Sequence, residues 1–269
     1  METQQIERIT PVMADEYLKL NTRNRKISKA SVAFLVNEIH SGNWEFNGIP
    51  IIFGESGVLL DGQHRLLAIS QTNTSKRLSV VRGVNDSAFK TIDSGRARTG
   101  ADALSVQNVP NAAVVSASIR KIMDKYGSKR GVVNGVPVKT STSDIYNFYF
   151  QNKERLDDFV ALSHRWSKKG GAVVNKTDVV AMLWLLSNED EKAYAFMEEV
   201  ATGSHDGHIT MTAQTLRNRL IREKMEMGRL HEGEKKDLYL VSFRNYLKGV
   251  DISRLVIRKN QKFKQKETV

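Results

Sequence analysis

The run Leu60-Asp61-Gly62-Gln63-His64-Arg65-Leu66-Leu67-Ala68 passes from an apolar, strand-like piece through a polar turn into a helix-like piece. A helix start offers backbone N–H groups without intrahelical partners, together with the positive end of the helix dipole. Phosphate is the anion such a place attracts. Gly62 lets the backbone come close to a ligand. His64 and Arg65 add directional donors in the first turn, and an arginine can hold phosphate through two parallel hydrogen bonds. The plainer reading has Asp61 capping the helix and His64 and Arg65 sitting at the surface. Asp61 is open to use as a general base, a metal ligand or a cap, and His64 to proton transfer or phosphate contact. One carboxylate with no reacting atom in view does not choose among these.

A second stretch, Thr212-Ala213-Gln214-Thr215-Leu216-Arg217-Asn218-Arg219-Leu220-Ile221-Arg222-Glu223-Lys224, has the composition of a DNA-reading helix. Arg217, Arg219, Arg222 and Lys224 could meet backbone phosphates, and Gln214 or Asn218 could read base edges. The alternative is a solvated helix face with Leu216, Leu220 and Ile221 packed inward. Charge favours an anionic partner: 41 Lys and Arg against 30 Asp and Glu give a net +11 over 269 residues, with pI about 9.7. The excess is uneven, with about +2 in residues 1–105 and about +9 in the remainder, which ends in a lysine-rich run.

With no cysteine, disulfides, thiolate metal sites and thiol catalysis are excluded. The six histidines are scattered without H-x-x-x-H spacing, so no structural zinc site is expected. No apolar run reaches the length of a membrane span, and Met1-Glu2-Thr3-Gln4-Gln5 lacks the pattern of a secretory leader, so a soluble protein is expected.

The elements that must position these residues fall into two styles. Thr10-Pro11 opens a helix over Val12–Leu20, and Ser28 caps another that carries Val32, Leu35, Val36 and Ile39 and ends at Gly42. Pro50–Phe53 and Val58–Leu60 read as strands paired across Gly54-Glu55-Ser56-Gly57. A helix Gln63–Ser70, a strand Arg77–Val84 and a short helix capped by Asp86 or Ser87 follow. From about Asn111 strand signals fade. Helical spacing covers Ala112–Tyr126, 143–150, 154–166, 178–186, 190–201, 213–227 and 235–248, with a loop expected from Gly127 to Pro137. Trp166, Trp184 and the Tyr146, Phe148, Tyr149 and Phe150 cluster are expected in the core. The pattern is α+β followed by a mostly α-helical region.

Val58–Ala68 resembles the signature of the ParB/sulfiredoxin superfamily. Partition-type members carry a Gly-Glu-Arg-Arg turn here and sulfiredoxins Gly-Cys-His-Arg. Gly62-Gln63-His64-Arg65 is closer to the second, with Gln63 at the position of the catalytic cysteine, which excludes sulfiredoxin chemistry and keeps the phosphate grip. Asp61–Ala68 and Ile92–Leu104 are similar to the DGQHRLAA and IDTGRPRSAADVL runs of phage- and plasmid-type proteins with a ParB-like N-terminal domain. The resemblance covers roughly residues 6–105. It implies a nucleotide-binding domain over 1–105, and the helical spacing and charge of the remainder give a basic helical domain over 106–269.

The resemblance further implies a nucleoside triphosphate, CTP or ATP, with Mg2+. Its ligands would be Arg23, Gly62, Gln63, His64, Arg65, and Asp93, Arg96, Arg98 and Thr99 of a second polar box, which lacks the Glu-Asn of the partition pattern. Asn21, Arg23 and Arg25 resemble the Asn-x-Arg element that lines the superfamily's pocket. The expected function is a nucleotide-binding, DNA-associated protein in the cytoplasm of a bacterial host, with slow triphosphate hydrolysis and a homodimer both left open. Two rivals stand beside it. One is a phosphoryl-transfer enzyme, nuclease or DNA-base-modifying transferase in which Asp61, His64 and Asp93 serve a metal or a proton. The other is a phage accessory protein that binds a host protein and retains a degenerate pocket.

Overall fold

Two separate sets of apolar residues close into two separate cores, giving a mixed α+β chain rich in helix. The computed structural model describes residues 1–22, 24, 26–92, 98–126, 132–225 and 230–255. The chain divides into two compact units, one of Met1–Gly100 with Lys129–Asp144 and another of Ala101–Ser128 with Ile145–Val269.

The first unit runs β1 (Thr3–Ile9), α1 (Pro11–Lys19), α2 (Lys29–His40), β2 (Pro50–Gly54), β3 (Leu59–Asp61), α3 (Gln63–Thr72) and β4 (Lys76–Val84). The sheet order is β1-β4-β2-β3. β4 is antiparallel to β1 and parallel to β2, while β2 and β3 form a hairpin. Both helix starts are capped as the sequence reading expects. The Thr10 hydroxyl accepts from Met13 N–H ahead of Pro11, and the Ser28 hydroxyl accepts from Ser31 N–H. Ile9, Ile51, Leu66, Ile69, Leu78 and Val80 are fully or nearly fully buried, so the helices pack against one face of the sheet. Arg82 of β4 binds Glu7 of the edge strand β1 and the Tyr17 hydroxyl. That guanidinium holds the Glu7 carboxyl below its usual range.

Two local expectations are corrected. The short helix after β4 is a 3-10 turn over Asp86–Lys90, and its cap is Asn85, whose side chain accepts from Ser87 N–H. Asp86 faces back to the β2–β3 turn, where its Oδ1 accepts from Ser56 N–H at 3.4 Å. Its carboxylate lies so close over Gly54 that a Cβ there would sit 2.0 Å from the oxygen. The segment expected as a loop before Pro137 holds a small hairpin of β5 (Val132–Val133) and β6 (Val136–Pro137). Asn134 and Gly135 turn it with φ of 50° and 76°, the left-handed pair that favours Asn-Gly at a tight hairpin. Val133 packs against the core of the first unit, and Asn134 donates to Gln71.

The second unit is helical: α4 (Gly100–Val106), α5 (Ala112–Lys121) with a π turn at Ile122–Tyr126, α6 (Thr142–Gln151), α7 (Lys153–Lys169), α8 (Lys176–Leu186), α9 (Ala193–Thr202), α10 (Met211–Met225) and α11 (Glu232–Leu247). α8 is the central helix. Val179, Val180, Ala181, Met182 and Leu183 are buried in succession, which requires neighbours on every side. α7 buries one stripe, Leu156, Phe159, Val160, Ser163 and Trp166. Tyr149 and Trp166 lie in the core and Phe148 packs on Trp184, as expected, whereas Phe150 is exposed. Lys121, within this interior, binds Asp178 and Glu232. Burial disfavours its charge, but the two carboxylates outweigh that and hold its pKa above the ordinary value.

Candidate functional site

The strand–turn–helix expected at Gly62–Arg65 is present, and Gly62 is the residue that makes the turn. It stands at φ 105°, ahead of Gln63 at the first position of α3, with no side-chain cap. A Cβ at position 62 would lie 2.3 Å from Ile51 Cδ1. The missing side chain therefore serves left-handed backbone and close packing on β2. Asp61 is not the cap.

The side chains of the turn point into the unit's own polar network. Gln63 is buried, and its Oε1 accepts from Asn21 Nδ2 at 3.0 Å. Asn24 donates to Asn21 Oδ1 and to the Leu59 carbonyl, both at 2.6 Å, which ties the segment before α2 to β3. His64 Nε2 accepts the Ser28 N–H at 3.0 Å. That nitrogen carries no proton in this arrangement, and the ring links α3 to the start of α2. Arg65 donates to the carbonyls of Ile49 (2.6 Å) and Pro50 (2.8 Å) and to Asp61 Oδ2 (2.8 Å). Much of its five-donor fork is thus spent on β2, its approach and the preceding strand. The Arg65 and Asp61 side chains are 16% and 22% exposed, so Arg65 is not the bare surface residue of the plainer reading.

The triphosphate grip that the resemblance implies would draw on side chains that already hold the turn. The side chains at 63, 64 and 65 would have to give up bonds that hold the turn. Among the described residues no group of three histidines or carboxylates is placed to hold a metal ion, and Asp61 already has Arg65 as partner. Arg23, Arg25, Asp93 and Arg96 lie outside the described residues. Arg98 and Thr99 are exposed, and the Arg98 carbonyl accepts from the Thr142 hydroxyl at 3.5 Å. Asn24 and Ser28, which help to fix the turn, carry no phosphate signal of their own in the sequence. Polar residues spaced around a helix cap are the only hint of their part.

The four basic residues of α10 differ in their partners and exposure. Arg217 donates to the carbonyls of Val200 (2.9 Å), Ala201 (2.8 Å) and Gly170 (3.3 Å), at the ends of α9 and α7. Burial pushes its pKa below the ordinary guanidinium value. Lys224 donates to the Ala172 carbonyl at 2.7 Å, and Arg219 pairs with Glu223 at 2.8 Å. Arg222 is exposed, as are Gln214 and Asn218. Those three recur every fourth residue, so they form one row on the outer face. Leu216 and Leu220 are buried on the inner face, as the alternative reading of this helix expects.

No family model matches the chain, and no curated protein matches it. The structure comparison finds a solved structure of a Pnob8-like ParB-N domain. It is 14% identical, with 84% of this chain and 97% of that chain covered and a TM-score of 0.23. Among the described residues no helix is long and apolar enough to cross a membrane.

Proposed function

We propose that the protein associates with double-stranded DNA through the outer face of α10. The observation that carries this reading is the row Gln214, Asn218 and Arg222, exposed on one side of a 15-residue helix. A carboxamide presents a donor and an acceptor side by side, matched to an adenine edge, and an arginine suits guanine or a phosphate. An α-helix fits the major groove, which is about 12 Å wide. The charge excess supports the same half of the chain, since the residues after 105 carry the larger part of it.

The test is a fluorescence-anisotropy titration of labelled duplexes over a range of salt. Affinity is expected to fall steeply, by orders of magnitude between about 50 and about 200 mM salt if several phosphates are engaged. Replacing Gln214 and Asn218 together by alanine should reduce discrimination between duplex sequences about tenfold and leave the salt slope unchanged. No binding at the lowest salt, or binding that ignores salt, overturns the reading.

A further inference from the structure

Beside the outer row of α10 the second unit has an open cleft of about 500 Å³, and its wall is rich in guanidinium groups. Arg219 and Arg222 come from α10, and Arg254 comes from the segment that follows α11. Asn218 and Ser253 add an amide and a hydroxyl. We infer that this cleft is a phosphate-binding site in which Arg222 and Arg254 grip one phosphate group from two sides.

Arg254 owes its place to two threonines. The Thr212 hydroxyl donates to the Val250 carbonyl at 2.8 Å and accepts from Ile252 N–H at 3.3 Å. One turn along, the Thr215 hydroxyl donates to the Ile252 carbonyl at 2.7 Å. Leu255 then packs on the helical core. The backbone is thus fastened on both sides of Ser253-Arg254, which lie exposed along α10. Fixing the backbone that carries an arginine reduces part of the entropy lost when a ligand is bound.

The charge balance at this cleft favours an anion. Among the described residues Glu234 is the carboxylate on its wall, and its Oε2 already accepts the His231 N–H as a helix cap at 2.9 Å. Arg219 shares one N–H with Glu223, a small part of a five-donor fork. Arginine forks match phosphate oxygens in geometry as well as charge. A phosphodiester of DNA and a free phosphate offer the same chemistry. The phosphodiester form rests on the proposed DNA association and deepens it by naming where the backbone is held.

The experiment is an NMR titration of arginine Nε–H signals in the full chain, with Arg219, Arg222 and Arg254 assigned through single lysine variants. Inorganic phosphate is added first, and a short duplex in a second sample. A saturable shift of Arg222 and Arg254 with both probes supports the site and assigns it to the DNA backbone. Arg254→Ala should then weaken phosphate binding about tenfold and lower the DNA salt slope by about one. A shift with phosphate while DNA binds without moving these signals supports the site with free phosphate as its source. A shift with phosphate and no DNA binding at all supports the cleft and sinks the DNA reading. DNA binding with no response of these signals to either probe overturns the cleft and leaves the DNA reading standing.

Discussion

Replacing Arg65 by alanine is expected to loosen the first unit. The change removes two bonds to backbone carbonyls and one ion pair to Asp61. A hydrogen bond from a charged donor contributes about 1.5–3 kcal/mol when well shielded. Ile49 is exposed and its carbonyl can rehydrate, so that bond counts least, while those to Pro50 and Asp61 are partly shielded. The expected cost is about 2–4 kcal/mol, a large fraction of the about 5–15 kcal/mol that holds a typical domain. Asp61→Asn keeps the carbonyl bonds and should cost about 1 kcal/mol, near the upper end for partly exposed pairs. Since the two units need not unfold together, the assay is hydrogen exchange read by peptide, which reports local stability. Arg65→Ala should speed exchange across 49–54 and 59–68 and leave α7 and α8 unchanged. Unaltered protection in 49–68 would refute the structural assignment of Arg65 and restore it as a candidate phosphate ligand.

Glu38 is buried on α2, and among the described residues its Oε1 has no hydrogen-bond partner. Burial lifts its carboxyl above the ordinary value near 4.5, the Ser141 hydroxyl opposes this, and Asp144 adds repulsion. A carboxyl raised in the folded state weakens the fold as pH climbs from the ordinary value through the folded one. Glu38→Gln should therefore stabilise at pH 7 and flatten the gain otherwise seen on mild acidification, as thermal midpoints against pH will show. A lower midpoint for the glutamine variant at pH 7 would contradict this. Two glycines should differ in kind. Gly62→Ala meets the flexible end of Ile51 and a φ of 105° and should cost about 1–3 kcal/mol. Gly170→Ala would set Cβ 2.0 Å from the Ala201 carbonyl oxygen, fixed backbone, and should cost more. Denaturation midpoints that rank the two the other way would count against the packing argument.

Most of the helices, and the starts of α1 and α2, are legible in the sequence because each depends on near neighbours. Thr10 with Pro11 and Ser28 with the Val32–Ile39 stripe act within one turn, and both caps are in place. The hairpin at Asn134-Gly135 is equally local in its turn chemistry. It escapes a periodicity reading because two-residue strands show no alternation to count. The candidate turn at 62–65 is legible in shape and not in purpose. Its partners Asn21, Ser28, Ile49 and Pro50 lie 15 to 42 residues away along the chain, and only the closed sheet brings them to Gln63, His64 and Arg65.

The same distinction decides among the arginines of α10, where a matched pair of variants can test it. Arg217 points at the last turn of α9, where Val200 and Ala201 leave carbonyls without intrahelical donors, and it reaches Gly170 at the end of α7 as well. A cation at a helix C-terminus satisfies those acceptors and the dipole together. Its loss should cost about 2–3 kcal/mol, by analogy with other shielded charged donors. Arg222, five residues on, projects from the outer face, away from those carbonyls. Arg217→Ala should therefore lower the thermal midpoint while the folded fraction keeps its DNA affinity and salt slope. Arg222→Ala should leave stability within about 0.5 kcal/mol of the parent and reduce the salt slope by about one. If both variants weaken DNA binding equally at a temperature where both are folded, the helix does not divide its charges between an inner and an outer face, and the assignment of α10 fails with it.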